Sequence, residues 1–201
     1  MTFRYDPHPG VAMVREWIAT LKQKSGRSLD EWVALVKKKG PAGPKERRDW
    51  LKSEHGLGTN SAWWIVDVVE GTADEMGDAG EYLRLAQQWV AAMFAGPKAA
   101  LLPIYERLYD LARSYDDVKV SPGKTIISIY RKHVIAQIKP STRTRVDFGL
   151  ALKDTPAKGH LVDTGGFAKK DRITHRIEIT SVAEVDEFVE KWFRRAYEMD
   201  A

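Results

Sequence analysis

The chain has 201 residues, 43% of them hydrophobic and 30% charged, with 32 Lys and Arg against 28 Asp and Glu. Its balanced charge and seven tryptophans exclude intrinsic disorder, and the length fits one large domain or two small ones. Cysteine is absent, which excludes disulfides and thiolate metal sites and leaves nothing to argue for secretion.

The first ten residues lack the apolar core of a signal peptide, and the apolar runs at 63–66 and 89–95 fall far short of the ~20 residues that span a bilayer. A cytoplasmic protein without a membrane segment is expected. Val11, Val14, Trp17, Ile18 and Leu21 recur at helical spacing and predict a helix over 11–24. Ser28 and Glu31 have the spacing of a capping box, opening a helix with Leu29, Trp32, Val33 and Val36 inward and Gly40-Pro41 as its stop. Pro44 suits the first turn of a third helix, closed by Gly56 with Leu57 folding back on Trp50 or Leu51. Thr59 or Asn60 is the expected cap of a fourth helix reaching Val69. Residues 67–81 hold six acids, no base and three glycines, and read as an acidic connection. Tyr82, Leu85, Trp89 and Met93 then mark one stripe of a fifth helix. Six of the seven tryptophans lie in this half, which suggests a small helical core built on large side chains.

Past Gly96-Pro97, Pro103 is placed at a helix start, followed by Ile104, Leu108, Leu111 and Ala112 as a buried stripe. The period then switches to two. Strands are expected over 124–130, 134–139, 145–152 and 173–180, with a short edge at 118–120. Ser181 and Glu184 form a second capping-box pair, predicting a final helix with Val185, Val189, Trp192, Phe193 and Ala196 inward. The expected fold class is α+β. A helical domain over 1–95 precedes a helix, an antiparallel meander of four strands (or five with the edge) and a helix over 97–201.

Charge is unevenly placed. Residues 1–96 carry 13 bases and 13 acids, whereas 119–176 carries 13 bases and only four acids, an excess of nine. No histidine pair has metal-ligand spacing, and the acids of 67–81 lack the order of a calcium loop, so no metal or cofactor is expected. There is no nucleophile elbow and no phosphate loop; Asp147-Phe148-Gly149 lacks every other kinase motif and reads as strand. No catalytic residue is assigned.

Two segments suit an anion. In 163–170, paired glycines followed by Lys169 and Lys170 offer free backbone N–H groups, or else a loop needing positive φ with solvated lysines. In 139–145, Ser141, Thr142 and Thr144 alternate with Arg143 and Arg145 in a phosphate-binding pattern, or form a polar hairpin turn. Strand alternation puts Ser128, Tyr130, Gln137, Lys139, Arg145, Asp147, Arg176 and Glu178 on the face away from the helices. The candidate anion-binding set is Lys139, Ser141, Arg143, Arg145, Lys169, Lys170, Arg172 and Arg176, with Tyr130 for stacking and His175 beside them. Neither His133 nor His175 has an evident carboxylate partner in sequence. Lys45, Arg48 and Lys52, following Lys37-Lys38-Lys39, loosely suit a helix-turn-helix, against which the zero net charge of that half argues.

The leading function is therefore a non-catalytic binding protein for an anionic partner, nucleic acid foremost. One alternative is a small-molecule or nucleotide-handling enzyme with a site between sheet and loops, using His175, Asp163 and Tyr130. Another is protein interaction or self-association through the tryptophan-rich half, favoured if Trp63 or Trp64 is exposed.

Ser28-Leu29-Asp30-Glu31-Trp32-Val33, Trp50-Leu51-Lys52 and His55-Gly56-Leu57-Gly58 together resemble a bacterial domain family of unknown function, number 4287. Where that family continues with His-Gly-x-Ala-Asn, this chain has Thr59-Asn60-Ser61-Ala62-Trp63. Pro122-Gly123-Lys124, Tyr130-Arg131-Lys132-His133, Ile138-Lys139-Pro140-Ser141, Gly165-Gly166-Phe167 and Arg172-Ile173-Thr174-His175-Arg176 resemble a second such family, number 5655. The resemblance implies a two-part organisation and brings no activity or catalytic residue.

Overall fold

The computed structural model describes residues 4–73 and 78–201; Asp74, Glu75 and Gly77 of the acidic connection lie outside the described residues. The chain divides into two compact units, one over Pro7–Tyr82 and the other over Leu83–Ala201 together with residues 4–6.

The first unit is helical: α1 (Pro9–Ser25), α2 (Leu29–Lys39), α3 (Pro44–Ser53) and α4 (Thr59–Glu70). The Ser28 box forms as expected, with the Ser28 hydroxyl accepting the Glu31 N–H and the Glu31 carboxylate accepting the Ser28 N–H. Pro44 opens α3, and the Leu57 N–H returns to the Leu51 carbonyl at 3.2 Å, bringing Leu57 into the core. The expected cap of α4 is corrected: Gly58 holds that position and no side chain caps it. Leu21, Trp32, Val36, Leu51, Ala62, Ile65 and Val66 make the core. Two arginines of α3 pair with α4, Arg47 with Glu70 and Arg48 with Asp67 at 3.1 Å. Arg48 also lies 3.9 Å from the Trp63 ring centroid, while Lys52 pairs with Asp49 at 2.9 Å. Of the cations read as a helix-turn-helix, Arg48 and Lys52 are thus paired within the unit, while Lys37, Lys38, Lys39 and Lys45 are exposed.

The division between the units falls within α5 (Ala79–Met93). A 3-10 turn (Gly96–Leu101) leads into α6 (Leu102–Arg113). Six strands follow: β1 (Lys119–Pro122), β2 (Ile127–Tyr130), β3 (Val134–Pro140), β4 (Val146–Leu150), β5 (Leu161–Asp163) and β6 (His175–Ile179). They form one antiparallel sheet in the order β1-β2-β3-β4-β6-β5. The α+β class holds, with two amendments. The short edge at 118–120 is a full strand, and β5, too short for any alternation to show, adds an edge on the other side.

The register fixes the faces. Ile127, Ile138, Phe148, Ile177 and Leu161 lie side by side across the sheet, next to Val120, Ile129, Ala136, Leu150 and His175. Against this face packs α7 (Glu187–Glu198), whose Phe193 ring sits 5.9 Å from Phe148. Ser181 and Glu184 do not cap α7. They bracket a separate 3-10 turn (Val182–Glu184), and Glu184 accepts the Thr180 N–H at 2.7 Å. Asp186 caps α7 instead, accepting from the Phe188 and Val189 N–H groups.

Residues 4–6 line the free edge of β1. The Asp6 N–H donates to the Val120 carbonyl at 2.9 Å, and the Asp6 carboxylate accepts the Val120 N–H at 2.8 Å. Arg4 pairs with Glu106 and stacks 3.9 Å over Tyr109, so this segment is bound to α6 as well. An edge strand covered in this way is closed to pairing with another chain.

Candidate functional site

The face away from α7 carries the row Ser121, Ser128, Gln137, Gly149, Arg176 and Val162, and beside it the row Lys139, Asp147 and Glu178. The face assignment made from alternation holds for these rows; Val134, expected on the core face, is corrected, since a register shift at Ile129/Tyr130 sets it opposite Tyr130 while Ile135 is buried. What alternation hides is the pairing of Asp147 directly opposite Glu178, two like charges across β4 and β6. Such a pair is destabilising unless a cation bridges it. Arg145 does so, with Nε 2.8 Å from the Asp147 carboxylate and Nη1 3.1 Å from Glu178. Arg176 reaches the other Glu178 oxygen at 2.8 Å, and the Ser141 hydroxyl donates to Asp147 at 2.6 Å. Three members of the candidate set, Ser141, Arg145 and Arg176, are thus bound into a neutralising network.

Arg172 is engaged elsewhere, with Asp200 at 2.5 Å and the Val134 carbonyl at 2.8 Å. Asp200 also accepts the N–H groups of Lys132 and His133 at 2.9 and 2.8 Å and the His133 ring Nδ1 at 2.9 Å. The carboxylate partner of His133 therefore exists, 67 residues away and invisible to any local pattern. Burial alone would raise the Asp200 carboxyl; the His133 backbone and ring and Arg172 outweigh it and hold the group below the usual carboxylate range.

His175 leaves the candidate set. It is 1% exposed on the core face, with Nδ1 2.8 Å from the Thr174 hydroxyl, which itself accepts the Leu152 N–H. Its Nε2 is buried without a hydrogen-bond partner. Tyr130 is half-buried on the outer face, where burial pushes its hydroxyl up against the opposing pull of Ser128. The glycine pair is accounted for by geometry: Gly165 has φ +69°, and its N–H is taken by the Asp163 carboxylate at 2.7 Å. A Cβ on Gly166 would stand 2.6 Å from the Ile173 carbonyl oxygen and 3.1 Å from Thr174 Cα. Gly166→Ala should accordingly destabilise the second unit by about 1–3 kcal/mol, since backbone cannot yield as a side chain would; urea unfolding measures it.

Lys139, Arg143, Lys169 and Lys170 remain. All four are exposed, and none has a carboxylate within 4.0 Å among the described residues. They form two clusters. Lys139 and Arg143 flank the turn at the Val146 end of β4, and Lys169 and Lys170 lie in the loop tied to its Leu150 end by the Thr174 N–H to Leu150 carbonyl bond at 3.0 Å.

A concavity lies elsewhere. A groove of about 630 Å³ runs between the β5 edge and the start of α7, lined by Arg145, His160, Val162, Glu178, Glu184 and Phe188, among others. Neither His175, Asp163 nor Tyr130 lines it, so the constellation expected of an enzyme is not assembled there. No group of three or more potential ligand side chains suited to a metal occurs among the described residues.

This unit, from α5 through the Asp200 latch, is what a family model for a domain of unknown function (DUF5655) matches, over residues 90–200. The chain belongs to the DUF5655 family. The helical unit separately matches a domain of unknown function (DUF4287) over residues 14–71, so the two families stand in this order along one chain. No curated protein and no solved structure matches the chain. No helix among the described residues is long and apolar enough to cross a membrane.

Proposed function

We infer that the DUF5655 module is a non-catalytic binding unit for an anionic partner, with nucleic acid the foremost class and the cytoplasm its setting. The observation that carries this reading is the exposure of Lys139, Arg143, Lys169 and Lys170 without carboxylate partners among the described residues. The two clusters lie toward opposite ends of β4, a strand of five residues that spans roughly 13 Å at ~3.3 Å per step. A single strand laid along β4 is the arrangement that would engage both. Phosphate contacts of this kind position a chain without reading its sequence, so weak sequence preference is expected.

Fluorescence anisotropy with a labelled single-stranded oligonucleotide tests the assignment by residue. Arg143→Glu and the double change Lys169→Glu with Lys170→Glu should each weaken binding by about tenfold, since each removes charge-assisted phosphate contacts. Arg176→Glu should instead act mainly on stability, because it breaks a pair with Glu178. Equal loss of affinity for all three variants would oppose the division into free and committed cations.

A second reading attaches to the helical unit. Trp63 is 48% exposed, with Arg48 over its ring, which favours a protein partner or a second copy of the chain at α4. Trp63→Ala should abolish any self-association seen by analytical ultracentrifugation while leaving the unfolding midpoint nearly unchanged.

A further inference from the structure

Residues 4–6 are held by the second unit in the way that a short peptide ligand is held. They are remote in sequence from the rest of that unit, since the chain leaves it after Asp6 and returns at Leu83. Each residue makes a different kind of contact. The Tyr5 side chain is 8% exposed, its hydroxyl 2.8 Å from that of Tyr105 and its ring edge-on to Tyr109 with 6.1 Å between centroids. Arg4 meets both oxygens of Glu106, one at 3.0 Å, and its carbonyl accepts the Tyr109 hydroxyl at 2.7 Å. Asp6 takes both backbone groups of Val120, and its carboxylate also lies 2.9 Å from Arg113.

The receiving side is built from two elements. Tyr105, Tyr109 and Arg113 follow one another at four-residue spacing along one side of α6, with Glu106 next to the first of them. Val120 adds a donor and an acceptor at the edge of β1, where a neighbouring strand would otherwise pair. Backbone bonds to a sheet edge, combined with side-chain contacts that select the residues, are how strand-adding peptides are recognised. All five receiving residues lie within the stretch 90–200 that matches DUF5655, whereas residues 4–6 lie outside it.

We propose that the α6–β1 edge is a peptide-docking site for a segment carrying arginine, tyrosine and aspartate in succession, and that residues 4–6 are its intramolecular occupant. Without the occupant, both Val120 backbone groups stand open on a sheet edge, the Tyr105 hydroxyl loses the Tyr5 hydroxyl and Glu106 loses Arg4. An edge left in that state is a template for another chain. A segment carried on the same chain outcompetes the same segment free in solution, which keeps the site filled. None of Lys139, Arg143, Lys169 and Lys170 takes part, so the site is independent of the anion-binding reading.

Fluorescence anisotropy tests this with the full-length protein and a labelled synthetic peptide of the sequence of residues 2–8. Tyr5→Ala withdraws the anchoring ring in cis. If that variant does not fold, the double change Arg4→Glu with Asp6→Lys replaces it, reversing both charges of the segment at partly exposed positions. The variant, shown to be folded by circular dichroism, should bind the peptide saturably and about tenfold or more tightly than wild type does, because its own segment no longer competes. A peptide with alanine in place of its tyrosine should lose about tenfold in affinity for the same variant. Adding Glu106→Ala to the variant should weaken the unaltered peptide, which locates it on α6. A folded variant that takes up no peptide, wild type binding it as tightly as the variant, or indifference to the tyrosine overturns the proposal.

Discussion

Asp200→Ala should destabilise the DUF5655 module by about 2–3 kcal/mol, lowering the midpoint of its thermal transition by roughly 10 °C. The carboxylate is buried and gathers four donors: two backbone N–H groups of the β2–β3 turn, the His133 ring and Arg172. Removing it releases the end of α7 from that turn and leaves the donors to find water. Arg172 is partly exposed and can do so, which keeps the loss below that of a fully buried ion pair. The effect has a pH signature. Since the folded-state carboxyl lies below its unfolded value, its contribution is complete above about pH 4 and is lost as pH falls through the depressed folded value. The stability difference between wild type and Asp200→Ala should therefore be constant near neutrality and shrink in acid. A difference that persists unchanged at pH 2 would mean that packing, not charge, secures the latch.

The largest loss in the helical unit is expected at Trp32. Its side chain is 1% exposed in the centre of the α1–α4 core and donates its indole N–H to Ser25 at 2.8 Å. His55 meets the ring edge-on at 5.3 Å, and the Arg27 guanidinium lies 5.0 Å from its centroid. Trp32→Ala leaves a cavity no neighbour can fill and should cost about 3–5 kcal/mol. A unit of this size has only ~4–11 kcal/mol in total, so the variant is expected to be substantially unfolded at 37 °C. Trp63→Ala, removing an exposed ring and one cation–π contact, should cost no more than about 1 kcal/mol. Far-ultraviolet circular dichroism during urea titration separates the two. Similar midpoints for both variants would contradict the assignment of Trp32 to the core.

Local chemistry was readable where it acts within a few residues. The Ser28 box, the Gly40 stop, Pro44 and the return of Leu57 to Leu51 each depend on neighbours in sequence, and each forms. The same serine-to-glutamate spacing at Ser181 leads elsewhere because Asp186 follows five residues on and is the better cap for α7. Strand alternation placed most of the two sheet faces, failing at Val134 where the register shifts, and it could not give the register. Register is what sets Asp147 against Glu178 and turns Arg145 and Arg176 from ligand candidates into the charges that make that pairing tolerable. His133 and Asp200, or Asp6 and Val120, meet only through the fold, and three-residue β5 is too short to carry a pattern. An excess of basic residues along a segment therefore overstates the charge open to a partner. Four of the seven cations proposed for phosphate are exposed and unpaired among the described residues.

That count makes the central claim measurable through the salt dependence of oligonucleotide binding by the full-length protein. With four phosphates neutralised on a single strand, the logarithm of affinity should fall against the logarithm of salt concentration with a slope of about −3, at roughly 0.7 per contact. Engagement of all seven cations would give a slope near −5 on the same scale and would mean that the Asp147, Glu178 and Asp200 pairs open on binding. Absence of binding at low salt, or affinity indifferent to salt, would contradict the claim that the module binds nucleic acid through Lys139, Arg143, Lys169 and Lys170.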